Sequence, residues 1–216
     1  MISIFIGKPR AGKTTYLAKI AYKCYKARNN LKSKWHYDYV FCNEPSVKYT
    51  TYLPTYAMGT FKTEGSCLFL MDECGIELNN RDWFKLPKHL KVESALNGHR
   101  KHDIFLFSQT VDIDITFRQR AQDIYLISKL GSFSLVRHIL YEPDVNNETH
   151  ELQDMYTKST GLRVLFNGDL KLFYRPKYYK LFDSYVDDYK YPCESYTDAV
   201  SKYGVAIAEQ PKHKST

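Results

Sequence analysis

Ile2-Ser3-Ile4-Phe5-Ile6-Gly7-Lys8-Pro9-Arg10-Ala11-Gly12-Lys13-Thr14-Thr15 is an apolar run that passes straight into a Walker A pattern, G-x-x-x-x-G-K-[ST]. The pattern carries weight only between a strand and a helix, and both are legible. Ile2 to Ile6 is short, β-branched and aromatic, which suits a central strand buried on both faces. Beyond the loop, Tyr16, Leu17, Ile20, Ala21, Cys24 and Tyr25 recur at three- and four-residue spacing, one face of a helix.

The residue types explain the chemistry such a loop performs. Gly7 and Gly12 lack Cβ atoms, so the backbone is free to turn its N–H groups inward around phosphate oxygens. The bound anion then lies at the positive end of the helix that begins near Gly12 or Lys13. The whole loop, Gly7, Lys8, Pro9, Arg10, Ala11, Gly12, Lys13, Thr14 and Thr15, is expected to line an ATP molecule. Lys13 would reach the β- and γ-phosphates and the Thr14 hydroxyl would bind Mg²⁺. Thr15 is expected to be a loop or α-phosphate contact, and Arg10 reads as a solvated charge before it reads as a phosphate neighbour.

Cys67-Leu68-Phe69-Leu70-Met71-Asp72-Glu73 supplies the second half of such a site. A buried strand that ends in Asp-Glu is a Walker B signature, expected at the tip of a strand neighbouring the first. Its first acid, Asp72, orients the magnesium water shell, and its second, Glu73, aligns or deprotonates the attacking water. In isolation, an apolar strand ending in an acidic turn is common; after a Walker A motif at this distance, the catalytic reading is the better one. Downstream, Asp103-Ile104-Phe105-Leu106-Phe107-Ser108-Gln109-Thr110 predicts another strand. A polar residue at its carboxyl end is placed to sense the γ-phosphate, which makes Gln109 the sensor candidate; the competing reading is an amide that caps the next turn. Arg118 is read as an arginine finger reaching a neighbouring subunit's nucleotide, or else, with Arg120, as a surface partner of Asp112 and Asp114.

Composition bounds the rest. The 216 residues allow one α/β domain with a small appendage, and 44% hydrophobic content supports a substantial core. A net charge of +7 favours a polyanionic partner. Five cysteines, Cys24, Cys42, Cys67, Cys74 and Cys193, show no metal or disulfide spacing and read as reduced core residues. No apolar run spans a bilayer and Met1 opens a core strand, so a soluble, cytoplasmic chain is expected. The run His99-Arg100-Lys101-His102 lacks a partner at metal-ligand spacing; it reads as a basic surface facing phosphate or as a structural turn.

Taken together, Walker A, Asp72-Glu73, the run His99-Arg100…Asp103…Gln109-Thr110 and then Ile115…Arg118 resemble the zonular occludens toxin family in order and spacing over about Met1 to Ser128. These are P-loop ATPases of filamentous phages, similar to the FtsK/HerA motors. The resemblance implies Mg-ATP hydrolysis, a homo-oligomeric ring, and extrusion of single-stranded phage DNA with phage coat or inner-membrane assembly proteins as partners. The chain departs from the family at the spacing of His102, at Cys74-Gly75 after the acidic pair, and in lacking the family's transmembrane segment. A site peripheral to, or tethered at, the bacterial inner membrane follows as an expectation.

Beyond Ser128, Ser134 to Tyr141 reads as a strand, with antiparallel pairing as the expectation. Leu162 to Phe166, Asn167-Gly168 and Asp169 to Tyr174 read as a hairpin, because Asn-Gly suits a type I′ turn. Tyr178, Tyr179, Tyr185, Tyr189 and Tyr191 read as packing residues of a tail before they read as stacking partners for single-stranded nucleic acid. The expectation is an α/β P-loop NTPase: a mainly parallel sheet flanked by helices, with C-terminal antiparallel β-hairpin additions. A single domain is expected over residues 1–205, with the nucleotide-binding core at 1–130, edge strands and tail at 131–205, and disorder at 206–216. Two other functions fit the same residues: a nucleotide-gated assembly scaffold and a small-acceptor P-loop kinase.

Overall fold

The computed structural model describes residues 1–61, 63–78, 87–110, 113–145, 152–158 and 170–183. Strand β1 (Ile2–Ile6) lies at the centre of a sheet with two faces, each covered by its own core. Its side chains alternate as a strand requires. Ile2 and Ile4 enter one core, while Phe5 enters the other with helix α1 (Lys13–Ala27).

The remaining elements follow in order: β2 (Tyr39–Cys42), β3 (Thr51–Tyr52), β4 (Cys67–Met71), α2 (Cys74–Glu77), α3 (Lys88–Leu96), β5 (His102–Ser108), α4 (Ile115–Arg118), β6 (Asp123–Leu130), β7 (Phe133–Val145), β8 (Leu152–Lys158) and β9 (Leu170–Tyr174). A 3-10 segment, Arg175–Leu181, closes the described chain. The sheet runs β3-β2-β4-β5-β1-β6-β7-β8, with β9 also paired to β7. From β3 to β6 every pairing is parallel; β7, β8 and β9 add antiparallel pairings at one edge.

This is the mainly parallel α/β arrangement expected, with one difference. The strand ending in Asp72-Glu73 is not the hydrogen-bonded neighbour of β1, because β5 runs between them. The antiparallel edge strand expected at 134–141 is β7, and it is longer than its apolar core. Residues 170–174 form β9 and pair with the first half of β7. The other strand of the expected hairpin and its Asn167-Gly168 turn lie outside the described residues, as do Arg81, Trp83, Phe84, Asp112, Cys193, Tyr185, Tyr189, Tyr191 and residues 206–216.

Parallel strands flanked by helices are apolar on both sides, and β4 shows it: all five residues are buried. Phe5 is stacked between Phe107 of β5 and Tyr125 of β6, with ring centroids 4.6 and 4.9 Å away, so aromatic cross-strand pairs fix the register at the centre. On this face α1 lays Leu17, Ile20, Ala21 and Cys24 over the sheet. On the other face Leu53, Met58, Leu90 of α3 and Phe117 of α4 cover it. Cys24, Cys42, Cys67 and Cys74 are buried, as expected of core thiols. Among the described residues no helix is long and apolar enough to cross a membrane.

Candidate functional site

Because β1, β2, β4 and β5 are parallel, their carboxyl ends meet along one edge of the sheet. Each end delivers a polar group: the loop after Ile6, Asn43 after Cys42, Asp72-Glu73 after Met71, and Gln109 after Ser108. The loop is tied down at its start by the Gly7 N–H, which donates to the Ser108 carbonyl at 3.1 Å. Gly7 has no room for a side chain, since a Cβ there would stand 2.7 Å from the Ile127 carbonyl oxygen. At the other end Gly12 caps α1 in the left-handed region, φ 97°, where glycine is unstrained.

Lys13 is buried. Its ammonium donates to the Gly7 carbonyl at 3.2 Å and lies 3.6 Å from Glu73 Oε1. The Thr14 hydroxyl donates to Asp72 Oδ2 at 2.5 Å, bridging the gap that β5 opens between the two motifs. Gln109 Nε2 donates to Glu73 Oε2 at 3.0 Å. Lys13, Thr14, Asp72, Glu73 and Gln109 are thus brought together. Glu73 itself has φ 49°, a left-handed conformation uncommon outside glycine and asparagine, of the kind found at functional sites.

Asp72 is positioned by a residue the sequence reading passed over. The Asn43 side chain donates to the Asp72 carbonyl at 2.9 Å and accepts from the Asp72 N–H at 2.7 Å. A polar residue directly after an apolar strand is the signal that singled out Gln109, and it applies equally to Asn43. Burial pushes the Asp72 carboxyl up to about 6; the Thr14 hydrogen bond opposes that rise, and the negative charge of Glu73 adds to it.

The donor set suits magnesium. A threonine hydroxyl and one carboxylate are hard oxygen donors, and Mg²⁺ is ordinarily held by one or two carboxylates together with substrate phosphates and water. No cluster of three or more His, Cys, Asp or Glu side chains among the described residues forms an all-protein metal cage.

A cavity of about 930 Å³ opens over these groups, lined by Pro9, Arg10, Gly12, Lys13, Thr14, Thr15, Glu73 and Gln109. Its remaining wall comes from Arg175, Tyr179, Phe182 and Asp183, which the sequence reading assigned to the tail. Ser134 and Arg175 brace the loop from behind: Ser134 Oγ donates to the Ala11 carbonyl at 2.6 Å, and the Arg175 guanidinium donates to the carbonyls of Arg10 and Gly131. The two contacts to the loop join residues 123 and 165 positions apart and leave no local signature.

Arg118 does not line the cavity. It sits on α4, on the sheet face opposite α1, with its Nε donating to the Ile113 carbonyl at 2.9 Å. Asp114 accepts from the Thr116 N–H and caps α4, and Arg120 donates to Ser94 Oγ; the pairing with Asp112 considered for Arg118 and Arg120 rests on a residue outside the described ones. Arg100 and His102 turn inward onto Glu93, a fully buried carboxylate of α3; His102 Nδ1 lies 2.5 Å from its Oε1. This contact gives Arg100 and His102 a structural part in the turn, while His99 and Lys101 are exposed.

No protein-family model matches the chain, and no curated protein matches it. Among solved structures, the N-terminal domain of zonular occludens toxin from Neisseria meningitidis is similar at TM-score 0.51 and 15% identity, covering 84% of this chain and 98% of that one. The genome-packaging NTPase B204 of Sulfolobus turreted icosahedral virus 2, in complex with ATP-gammaS, aligns at TM-score 0.43 and 11% identity, over 73% of this chain and 98% of that one. The first likeness shows that this chain shares the fold of that domain.

Proposed function

We propose that the chain is a Mg-ATP-hydrolysing motor of filamentous-phage assembly, which exports single-stranded phage DNA at the bacterial inner membrane. The observation that carries the catalytic part is the meeting of Thr14 with Asp72 at 2.5 Å, with Lys13 and Gln109 on either side of Glu73. A scaffold that only bound nucleotide would not need a second acid held beside the lysine.

In this reading the γ-phosphate takes the place of Glu73 and the Gly7 carbonyl as partner of the Lys13 ammonium. Thr14 and Asp72 would hold magnesium, which supplies charge neutralisation on the phosphates. Glu73, released from Lys13 but still held by Gln109, accepts the proton of the attacking water. Gln109 then reports phosphate loss through its bond to Glu73. Arg118 lies outside its own cavity, so a finger role would act on a neighbouring subunit, and that role requires a ring.

The phage role draws support from the sequence resemblance, from the likeness to the zonular occludens toxin domain, and from the net positive charge, which suits DNA. Coat or inner-membrane assembly proteins are the partners it implies, with the chain on the cytoplasmic side of that membrane. The test is the rate of ATP hydrolysis with and without single-stranded DNA, together with particle mass in the presence of ATP. DNA-stimulated turnover by an oligomer is expected; an unstimulated, persistent monomer contradicts translocation.

A further inference from the structure

The phosphate groups account for only one end of the cavity. Its other end is walled by the segment after β9, whose 3-10 geometry sorts its side chains, because three residues per turn place i and i+3 on one face. Tyr178 and Leu181 share a face and pack against the core under α1. Tyr179, on the next face, lines the cavity together with Phe182, an extended residue just beyond the segment that also packs against that core. The segment is pinned at both ends. Arg175 is buried and bonded to the loop carbonyl of Arg10, while the Lys48 N–H donates to the Leu181 carbonyl at 2.8 Å and Ser46 Oγ to the Asp183 carbonyl at 2.9 Å. Tyr179, a residue 48% exposed, therefore stands on a backbone fixed relative to the phosphate loop.

We infer that Arg175–Asp183 builds the nucleoside subsite, with Tyr179 as the stacking platform for a purine base. This rests on the reading that Lys13 holds the triphosphate. A cavity of about 930 Å³ leaves space for a nucleoside once the phosphates lie on Lys13, and the aromatic surface in its lining belongs to Tyr179 and Phe182. A platform whose backbone is held in place before the ligand arrives costs little ordering on binding. Stacking needs only a π-face and grows with its area, so it favours purines over pyrimidines without strict choice between adenine and guanine.

The test measures the affinities of the full chain for ATP and for inorganic tripolyphosphate, in wild type, Tyr179→Ala, Tyr179→Phe and Lys13→Ala. Tyr179→Ala is expected to weaken ATP about tenfold and leave tripolyphosphate within about twofold, since stacking is commonly worth that much per base. Tyr179→Phe keeps the ring and should bind ATP as wild type does. Equal loss of both ligands in Tyr179→Ala, or no loss of ATP, overturns the platform. Lys13→Ala should weaken both ligands; if it weakens neither, the phosphate reading fails first and takes this one with it. A second measurement compares ATP, GTP, CTP and UTP. Wild type should prefer the purines several-fold and Tyr179→Ala should lose that preference, whereas equal binding of all four by wild type overturns the proposal.

Discussion

Replacing Asp72 with Asn is expected to stabilise the nucleotide-free protein at neutral pH while removing its response to magnesium. Burial lifts the carboxyl from 3.8 to about 6 in the folded state. The folded chain thus holds that proton more tightly than the unfolded chain, so this group's contribution to stability falls as pH rises from about 4 to about 6 and then levels off. The difference of roughly two pH units corresponds to about 3 kcal/mol above pH 7, of which about half is already lost at pH 5. Asn carries no charge to desolvate. Its oxygen can keep the bond from the Glu73 N–H, and its amide can donate to Thr14 Oγ1. The variant should therefore melt higher than wild type by roughly 6–12 °C at pH 7.5, taking about 2–4 °C per kcal/mol for a chain of this size, and by about half as much at pH 5. Thermal unfolding at the two pH values, with ATP alone and with Mg-ATP, reads both effects. Magnesium should add stability beyond ATP in wild type only. A variant that melts below wild type by the same amount at both pH values refutes the assigned burial cost, and one that still gains from magnesium refutes the metal role.

Three further substitutions probe the supports of the site. Asn43→Ala leaves the Asp72 N–H and carbonyl without the side chain that clamps them; a stability loss of about 1–3 kcal/mol in urea unfolding is expected, with turnover falling at least tenfold. Gly12→Ala forces a side chain into a left-handed backbone, with its Cβ 2.5 Å from Ser134 Oγ, so ATP affinity measured by titration should fall more than tenfold. Glu93→Gln removes the buried charge facing His102 and Arg100 and should cost about 3–5 kcal/mol in denaturant unfolding. Because Glu93 meets β5 at its first residue, at the opposite end from Gln109, ATP affinity should stay within about twofold of wild type.

What the sequence shows plainly is what neighbouring residues specify among themselves. The loop from Gly7 to Thr15 lies between its strand and helix because glycine, lysine and threonine spacing is a local matter. The Asp72-Glu73 strand is equally self-contained, and β1, β4 and β5 read as strands from their apolar runs. Pairing is not local: nothing in residues 67–73 states that β5 will run between β4 and β1. That insertion places Gln109 between the loop and the acids. Partners distant in the chain stayed hidden for the same reason. Asn43 needs β2 beside β4 before its role can be seen, and Glu93 needs β5 beside α3. Ser134 and Arg175 reach the loop, and Tyr179 the cavity, only once the antiparallel edge has folded back, so a tyrosine-rich tail and the wall of this cavity look alike in the sequence.

The central claim is that Glu73 performs chemistry on a nucleotide held by Lys13 and Thr14. Phosphate release from Mg-ATP by wild type and Glu73→Gln, paired with ATP affinity by calorimetry, tests it most directly. Removal of a general base commonly costs 10²–10⁴ in rate, so Glu73→Gln should lose about a hundredfold or more of turnover while binding ATP within a few-fold of wild type. Equal phosphate release by the two proteins, or a wild type that does not bind ATP, contradicts it.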